Sequence, residues 1–384
     1  MKSEYDVVIV GAGVIGLYTA HHLARGLDPR RILVVDRSTL ALGASGRNGG
    51  GVRQQWETVP TMNLARESVH AYRRFAADFG YNPWFRQGGY LFLAFSETEV
   101  ASLRKVEAIG RGVHLPVRWL GPREVQRCVP GINPSGLQGG SYLSSDGVIL
   151  PFPVIWGLAA SLRDQGVDIQ LRTDVQAIER SGGRVTGVRT SAGSVRTSRV
   201  VNAAGGWSSE VTAMAKLLPH THPTLHEILA TEPLTPFLDP MVVTLRRGVY
   251  FSQTMRGEVV GGMTLDHGPE VRGMASTPRF LFEMSRELVH LLPRMRRARI
   301  LRAWAGYYDD TPDGLPVLGE EPHLKGFHQA NGLGGHGFML APAATRLVAE
   351  GVLEKRSDQD GKPFAPDRFG NGDAPRAMER LQLG

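Results

Sequence analysis

The chain has 384 residues, of which 42% are hydrophobic and 21% charged, a composition typical of a water-soluble enzyme with a sizeable core. The formal net charge is +7, which reflects either a bias toward arginine or an attraction to anionic partners. The single cysteine, Cys128, excludes an internal disulfide and any cysteine-based metal or iron–sulfur site. No apolar stretch approaches the roughly 18–20 residues that span a bilayer, and no secretory leader is recognisable. We therefore expect a cytoplasmic protein, and no pattern predicts a nucleic-acid partner.

The chain opens with a strand, a glycine loop and a helix. Tyr5 to Val10 form a β-branched run, the loop runs from Gly11 to Gly16, and a helix follows from Leu17. A second strand covers residues 32–35 and ends at Asp36. This order of elements is typical of a Rossmann-type unit.

The spacing of these residues predicts a dinucleotide site. Gly11 makes the tight turn, Gly13 lets the backbone approach a pyrophosphate, and Gly16 lets the helix pack closely on the strand. Asp36 lies 20 residues after Gly16, where an acid accepts the ribose hydroxyls. Ala12 and Arg37 belong to the same predicted cofactor site.

A second glycine-rich loop, residues 43–53, decides which dinucleotide is expected. A nicotinamide-binding domain would continue here with further strand–helix units, whereas this chain continues with small, hydrogen-bonding and cationic side chains. Such a loop suits close passage along a flavin, although a mobile glycine loop is the alternative. The predicted cofactor contacts in it are Ser45, Arg47, Asn48, Gly49 and Gly50.

The middle of the chain mixes helices with strands. Helices are predicted over residues 61–79, 96–110, 120–129, 154–165 and 280–291, and strands over 88–94, 168–171, 241–245, 249–253 and 258–261. A hairpin is predicted over 177–197. The small residues after the strand at 200–201 let the backbone pass close to a cofactor, and the predicted contacts of this region are Val175, Ala204, Gly205 and Trp207.

The C-terminal third carries another glycine loop that opens a helix. A strand is predicted over 327–330 and a helix over 341–351, and the loop between them presents backbone N–H groups to a ligand. His336 either contacts the flavin or substrate or is a structural side chain. The predicted cofactor residues here are Gly306, Gly332, Gly334, Gly335, His336, Gly337, Phe338 and Met339.

Two further segments complete the organisation. The arginine run at 294–299 is either a solvated face or a docking surface for a partner or membrane. The tail after Lys355 is expected to be a loose surface wrap. We expect a discontinuous cofactor domain formed by residues 1–80, 141–224 and 325–384, and a substrate domain formed by 81–140 and 225–324.

Together these motifs resemble the D-amino-acid oxidase superfamily, in its glycine and sarcosine oxidase branch. The pattern of Ser45 to Arg53 and the loop Gly335 to Phe338 look most like β subunits of sarcosine oxidase, L-proline dehydrogenase, hydrogen cyanide synthase and opine oxidases. The resemblance implies α/β plus β architecture: a Rossmann-type FAD domain and an antiparallel-sheet substrate domain. It also implies oxidation of a C–N bond to an imine, with hydride passing to flavin N5.

Departures from the family shape the expected site. Where monomeric glycine oxidases hold the substrate carboxylate with an arginine, this chain has Tyr308, so Arg53 becomes the candidate anchor and Tyr308 an assisting hydroxyl. The three candidate catalytic residues are Arg53, Tyr308 and His336. No cysteine precedes the segment from Thr311 to Asp313, which implies non-covalent FAD. No histidine lies in residues 150–153, which argues against covalent FMN and leaves non-covalent FMN at a subunit interface open.

Several alternatives remain at this level. The substrate could be glycine, sarcosine, proline, a D-amino acid or an opine, and the electron acceptor oxygen, a quinone or a partner cofactor. The resemblance implies α-type and small iron–sulfur partner subunits, and peripheral contact with the plasma membrane is open. A flavin-binding relay subunit without its own substrate, or an enzyme oxidising a hydroxy acid or glycerol 3-phosphate, would share the same fold.

Overall fold

The computed structural model describes residues 1–266, 273–355 and 361–369. Eight α-helices lie in these ranges: α1 Val14–Leu23, α2 Val59–Phe79, α3 Glu97–Gly112, α4 Pro122–Cys128, α5 Pro151–Asp164, α6 Ser208–Met214, α7 Pro278–Leu291 and α8 Gly337–Val352. Of the tail predicted to be a surface wrap, residues 356–360 and 370–384 lie outside the described residues. The part from 361 to 369 forms two short 3-10 helices, Lys362–Phe364 and Pro366–Phe369.

The strands are numbered in chain order. They are β1 Val7–Val10, β2 Ile32–Asp36, β3 Gly51–Val52, β4 Tyr90–Ala94, β5 Arg118–Leu120, β6 Gly139–Leu143, β7 Gly147–Val148, β8 Asp168–Leu171, β9 Val175–Ser181, β10 Arg184–Thr190, β11 Gly193–Arg196, β12 Val200–Asn202, β13 His222–Pro233, β14 Met241–Thr244, β15 Val249–Gln253, β16 Glu258–Met263, β17 Ile300–Asp310, β18 Val317–Glu320 and β19 Phe327–Asn331.

A six-stranded sheet carries the N-terminal motif. Its order is β18-β19-β12-β1-β2-β8, and all pairings are parallel except that between β18 and β19. Val7 to Ile9 in the central strand are fully buried, as expected for a strand covered on both faces. Helix α1 packs against α8 and α5 on one face of this sheet. The three-stranded sheet β11-β10-β9 packs its apolar face against the other.

An eight-stranded sheet forms the second half of the fold. Its order is β17-β13-β16-β15-β14-β4-β6-β5, and it is antiparallel except where β14 runs parallel to β4. Helix α7 covers its outer face, where Phe280 and Met284 are completely buried. The fold is thus a Rossmann-type α/β unit joined to a largely antiparallel sheet. The assignment of chain segments to two domains stays a prediction.

The elements agree with most of the sequence expectations, and two differences concern the C-terminal third of the chain. The stretch from Ile300 to Asp310, noted only for its motif, is the long edge strand β17. The C-terminal helix begins at Gly337 rather than at 341, because the glycine loop itself turns directly into α8. Helix starts at α2 and α3 are fixed by Thr58 and Ser96, whose side chains accept a backbone N–H of the first turn.

Candidate active site

A long cavity lies where the carboxyl ends of the parallel strands face the inner surface of the eight-stranded sheet. Its walls come from both sheets and from the three glycine-rich loops. The sequence-predicted residues that line it are Gly11, Ala12, Gly13, Asp36, Arg37, Ser45, Arg47, Asn48, Gly49, Val175, Ala204, Gly205, Trp207, Gly306, Tyr308, Gly334, Gly335, Gly337 and Phe338. Ligands of open α/β sheets bind at this edge, so the location suits a dinucleotide.

A side chain would clash at Gly11 and would be crowded at Gly13 in the first glycine loop. Gly11 has φ +113°, and a Cβ there would lie 2.3 Å from the Ala203 carbonyl oxygen. A Cβ on Gly13 would lie 3.0 Å from the Ser45 hydroxyl. The backbone at these positions can therefore approach a bound pyrophosphate, as the spacing predicts.

Polar side chains hold the loop in this shape. The two carboxylate oxygens of Asp36 accept from the backbone N–H groups of Ala12 and Ser38, each at 2.8 Å. The Ser45 hydroxyl accepts from the N–H of Val14 at 2.9 Å, at the start of α1. Asp36 also lines the cavity, and its remaining lone pairs can accept ribose hydroxyls.

One end of the cavity has an aromatic and cationic wall. The Arg37 guanidinium lies 4.4 Å from the centre of the Trp207 ring and 3.7 Å from the carboxylate of Glu210. Trp207 in turn meets Tyr307 edge to face, at 5.7 Å between ring centres. These flat groups, next to Asp36, suit the adenosine half of a dinucleotide.

The second glycine loop is tied to β17. The Arg47 guanidinium donates to the carbonyl oxygens of Leu42 and Ala305, at 2.7 and 2.9 Å, and the Trp304 indole donates to the Arg47 carbonyl at 2.8 Å. Arg47 lines the cavity, so a positive charge stands in its wall.

The C-terminal glycine loop is held from beneath by a buried carboxyl group. Asp309 accepts the N–H of Gly332 at 2.7 Å and also lines the cavity. Burial raises the pKa of Asp309 to about 7, against the opposing effect of the hydrogen bond from Gly332. Gly337 and Phe338, the first residues of α8, face the cavity, so the positive end of that helix dipole points into it.

Arg53 and His336 lie behind the cavity wall rather than in it. Arg53 is fully buried, and its Nη2 lies 3.0 Å from Nε2 of His336. Its guanidinium lies 4.1 Å from the centre of the Trp56 ring, which also meets His336 edge to face at 4.6 Å. The structure therefore brings the two candidate residues together, but as a buried pair that supports the C-terminal glycine loop.

Four other predicted cofactor residues also lie outside the cavity lining: Gly16, Gly50, Gly332 and Met339. Gly16 is a packing position, since a Cβ there would lie 1.9 Å from the Gly11 carbonyl oxygen. Gly50 and Gly332 adopt φ +73° and +69° and allow their loops to turn. Met339, in the first turn of α8, is buried in the core. These residues shape the loops without lining the cavity.

Sequence reasoning missed two aromatic residues of the cavity wall, Tyr250 and His226. Tyr250 and His226 line it beside Tyr308, and the hydroxyls of Tyr250 and Tyr308 hydrogen-bond to each other. The His226 ring meets Tyr308 edge to face at 4.1 Å. The alternation of inward-facing residues along β13, His226 and Ile228, is the signal that could have found this wall.

Burial governs the charge of this tyrosine pair. Burial raises the pKa of both Tyr250 and Tyr308 above the ordinary value of 10.0. It also raises the pKa of neighbouring Tyr90 to about 12, although Arg53 lowers it in part. All three phenols are neutral near pH 7, and the pair in the cavity wall can donate hydrogen bonds to an anion without repelling it.

The described residues contain neither a cluster of metal ligands nor a membrane-spanning helix. Within residues 1–266, 273–355 and 361–369, no three His, Cys, Asp or Glu side chains are grouped to hold a metal ion. Across the same ranges, no helix has the length and apolar character of a membrane span.

Comparison with known proteins places the chain among flavoproteins. The family model described as FAD dependent oxidoreductase, DAO, matches residues 6–351. Sarcosine oxidase subunit beta of Rhodobacter capsulatus is 30% identical, covering 97% of this chain and 90% of that protein. Glycine oxidase of Geobacillus kaustophilus is 28% identical, covering 96% and 98%.

A solved structure gives the same result for the fold. L-Proline dehydrogenase from P. horikoshii superposes with a TM-score of 0.91 at 30% identity, covering 98% of this chain and 100% of the other. The likeness extends over both sheets and confirms the fold class that the sequence resemblance implied.

Proposed function

The chain belongs to the DAO family of FAD-dependent oxidoreductases, and we propose that it oxidises the C–N bond of a small amino acid to an imine. FAD is its cofactor. One observation carries the proposal: the dinucleotide cradle at Gly11 to Gly13 continues, in one cavity, to the neutral hydroxyls of Tyr250 and Tyr308. A cofactor and a small anionic substrate can therefore lie in contact.

Bound FAD supplies the redox chemistry by taking up a hydride equivalent, and the chain supplies position and electrostatics. Burial keeps both Tyr250 and Tyr308 protonated, so their hydroxyls can turn from the hydrogen bond between them and donate to the substrate carboxylate instead. The ring of His226 limits the space beside Tyr308 and selects a small side chain. The positive end of α8 favours negative charge in the cavity during turnover.

Arg53 has a supporting part in this proposal. Its guanidinium contacts His336 directly, and His336 precedes the first residue of α8. Arg53 thus holds the glycine loop in place and adds positive charge behind the carboxylate site. The sequence expectation of direct carboxylate anchoring by Arg53 would need its side chain to leave this buried position.

The experiment is an anaerobic screen for bleaching of the bound flavin. Glycine, sarcosine, L-proline, D-amino acids and opines are added to the wild type, to Tyr308→Phe and to Tyr307→Phe. We expect one amine to bleach the wild type, and Tyr308→Phe to need at least about tenfold more of it because a hydrogen bond to a charged group is lost. Tyr307 lines the cavity beside Trp207, so Tyr307→Phe serves as the matched control.

The other two flavoprotein hypotheses give different results in the same screen. Bleaching by a hydroxy acid or glycerol 3-phosphate, and by no amine, would make the chain a hydroxyl-oxidising enzyme. Stable flavin colour with every compound would favour a relay subunit. Equal substrate requirement in Tyr308→Phe and the wild type would remove Tyr308 from the carboxylate site.

We further propose that the chain works as the β-type subunit of a heteromeric dehydrogenase or oxidase. The similarity to sarcosine oxidase subunit beta supports this. So does a cluster of exposed apolar side chains near the start of α5, namely Tyr81, Trp84, Leu150, Phe152 and Trp156. Purification under mild conditions should recover a stable complex with a defined second chain, and full activity of the isolated monomer would contradict the assignment.

A further inference from the structure

A basic edge stands out on the surface of the eight-stranded sheet. We define it as the exposed arginines of residues 294–302, together with Ile300 and Leu301. Among the described residues, strand β17 forms the outer edge of the sheet and pairs with β13 on one side only. The five arginines of the basic edge are Arg294, Arg296, Arg297, Arg299 and Arg302, all of them exposed.

The basic edge stands on a rigid base. Met295 is buried in the core beneath α7, which fixes the 3-10 helix Pro293–Arg297. The Arg294 guanidinium lies 4.0 Å from the centre of the Phe237 ring, and that of Arg302 lies 5.2 Å from the Trp304 ring. Two of the five guanidinium groups are therefore held against aromatic rings.

Two nearby acidic groups on α7 are paired with arginines outside the basic edge. Glu283 and Glu287 on α7 pair with Arg247 at 3.2 and 2.9 Å, and Glu283 also pairs with Arg286 at 2.6 Å. Glu232 lies at the basic edge itself, where it accepts the backbone N–H of Arg299 at 3.0 Å, so this negative charge stands against the five arginines. The positive potential of the basic edge is thus offset by little negative charge, and it attracts an anionic surface.

Exposed apolar side chains stand among these charges. Leu301 is 64% exposed and Ile300 is 40% exposed, and the two residues lie between Arg299 and Arg302 in the chain. Phe282, 65% exposed, projects from α7, against which the 3-10 helix packs. Guanidinium groups bind phosphate oxygens, and aliphatic side chains between them can enter the acyl boundary of a bilayer.

From these observations we propose that the basic edge docks the protein on a membrane surface rich in anionic phospholipid. A bilayer matches the combination of clustered cations and interspersed apolar side chains better than an acidic polypeptide does, since it offers phosphate and hydrocarbon together. The proposal does not depend on which substrate is oxidised.

Docking there would also bring the cavity near the bilayer. Within strand β17, Leu301 lies six residues before Tyr307, a separation of about 20 Å, and Tyr307 lines the cavity. Between these two positions, the Trp304 indole donates a hydrogen bond to the carbonyl oxygen of Arg47, a residue that lines the cavity.

The test is vesicle cosedimentation of the full-length, flavin-loaded protein. Vesicles of phosphatidylglycerol and phosphatidylcholine are compared with vesicles of phosphatidylcholine alone. We expect binding to the anionic vesicles, and its loss when salt is raised from about 0.1 M to about 1 M, because the Debye length shortens from about 10 Å to about 3 Å.

Variants with matched charge locate the surface. Arg296→Gln/Arg297→Gln/Arg299→Gln should weaken binding by a factor on the order of one hundred. The control Arg163→Gln/Arg184→Gln/Arg189→Gln removes three exposed charges elsewhere and should retain binding. Leu301→Ser should weaken binding several-fold, whereas Leu218→Ser, at an 86% exposed site outside the basic edge, should not.

The contradicting outcomes are distinct. Equal losses in both triple variants would mean that net charge alone acts, and would overturn the assignment to the basic edge. Absence of vesicle binding, with polyglutamate or DNA binding instead, would replace the membrane by an acidic macromolecule. Circular dichroism and flavin absorbance confirm that each variant is folded and loaded.

Discussion

Asp309 shows how one residue can serve both the fold and the cavity. Its side chain is 7% exposed, lines the cavity and accepts the N–H of Gly332 at the start of the C-terminal glycine loop. Burial, with a smaller contribution from the neighbouring Asp310 carboxylate, raises its pKa to about 7 against the opposing hydrogen bond from Gly332. The loop that faces the flavin therefore depends on a carboxyl group that titrates near neutral pH.

The stability of the protein should fall as pH rises through this range on account of Asp309. Between its ordinary value of 3.8 and about 7, the unfolded chain has lost the proton and the folded chain has kept it. The folded state binds more protons, so the free energy of unfolding contributed by this group decreases with rising pH, by at most about 1.4 kcal/mol per pH unit.

Asp309→Asn tests this by removing the titration while keeping a carbonyl acceptor for Gly332. We expect its free energy of unfolding to gain on the wild type as pH rises from about 4 to about 7. Urea unfolding at several pH values measures the difference. Asp164→Asn, at an exposed site on α5, is the control, and parallel pH profiles for Asp309→Asn and the wild type would refute the explanation.

At the scale of elements, the C-terminal 3-10 helix Pro366–Phe369 secures the loop after β17. Arg368 pairs with the fully buried Asp313, at 2.7 Å from Nε to Oδ2 and 3.2 Å from Nη2 to Oδ1. It also donates to the Leu315 carbonyl at 2.8 Å. The loop begins where β17 ends, close in the chain to the cavity residues Tyr308 and Asp309. The Arg368–Asp313 ion pair therefore helps to hold the cavity wall in place.

Arg368→Met should be strongly destabilising because it leaves the Asp313 carboxylate buried without its cation. A loss of about 3–5 kcal/mol is expected from breaking a buried pair. Arg346→Met is the matched control: Arg346 also pairs with two oxygens of Glu67, at 2.6 and 2.8 Å, but at a half-exposed site. Its loss should cost about 1 kcal/mol or less. Equal shifts in the urea midpoint would contradict the difference.

Helices and strands were predicted correctly where the hydrophobic pattern of the segment itself indicates them. Helix α2 and strand β15 carry an apolar repeat or a β-branched and aromatic run that is visible without a partner. Strand β17 was missed because its residues, from Arg302 to Asp310, mix aromatic, acidic and glycine positions. Their arrangement makes sense only against β13, which pairs with this strand over its whole length.

At the scale of the whole molecule, the cavity joins the two main sheets. Gly11 and Asp36 come from the six-stranded side, and His226, Tyr250 and Tyr308 from the eight-stranded side. A flavin bound between them contacts both halves of the fold. Its binding energy therefore adds to the stability of the assembled molecule.

Removal of FAD should lower the melting temperature, and added FAD should restore it. At a free concentration of about 100 times Kd, the expected stabilisation is about 2.7 kcal/mol. Differential scanning fluorimetry of the stripped protein measures the shift, with NAD as the control dinucleotide. A larger shift with NAD than with FAD would contradict the cofactor assignment.

The sequence by itself determined the cofactor class, the family and the Rossmann-type unit. These depend on motifs whose residues lie close together in the chain: the glycine spacing at Gly11 to Gly16 and the acid at Asp36 predict the Rossmann-type unit, and the glycine-rich loops at 43–53 and 332–338 point to flavin and to the family. Tertiary structure decided the rest of the site. Whether Arg53 faces the cavity, and that Tyr250 and His226 join Tyr308, depends on side-chain direction and strand register between distant segments. Those are set by packing across the two sheets, which no local spacing encodes.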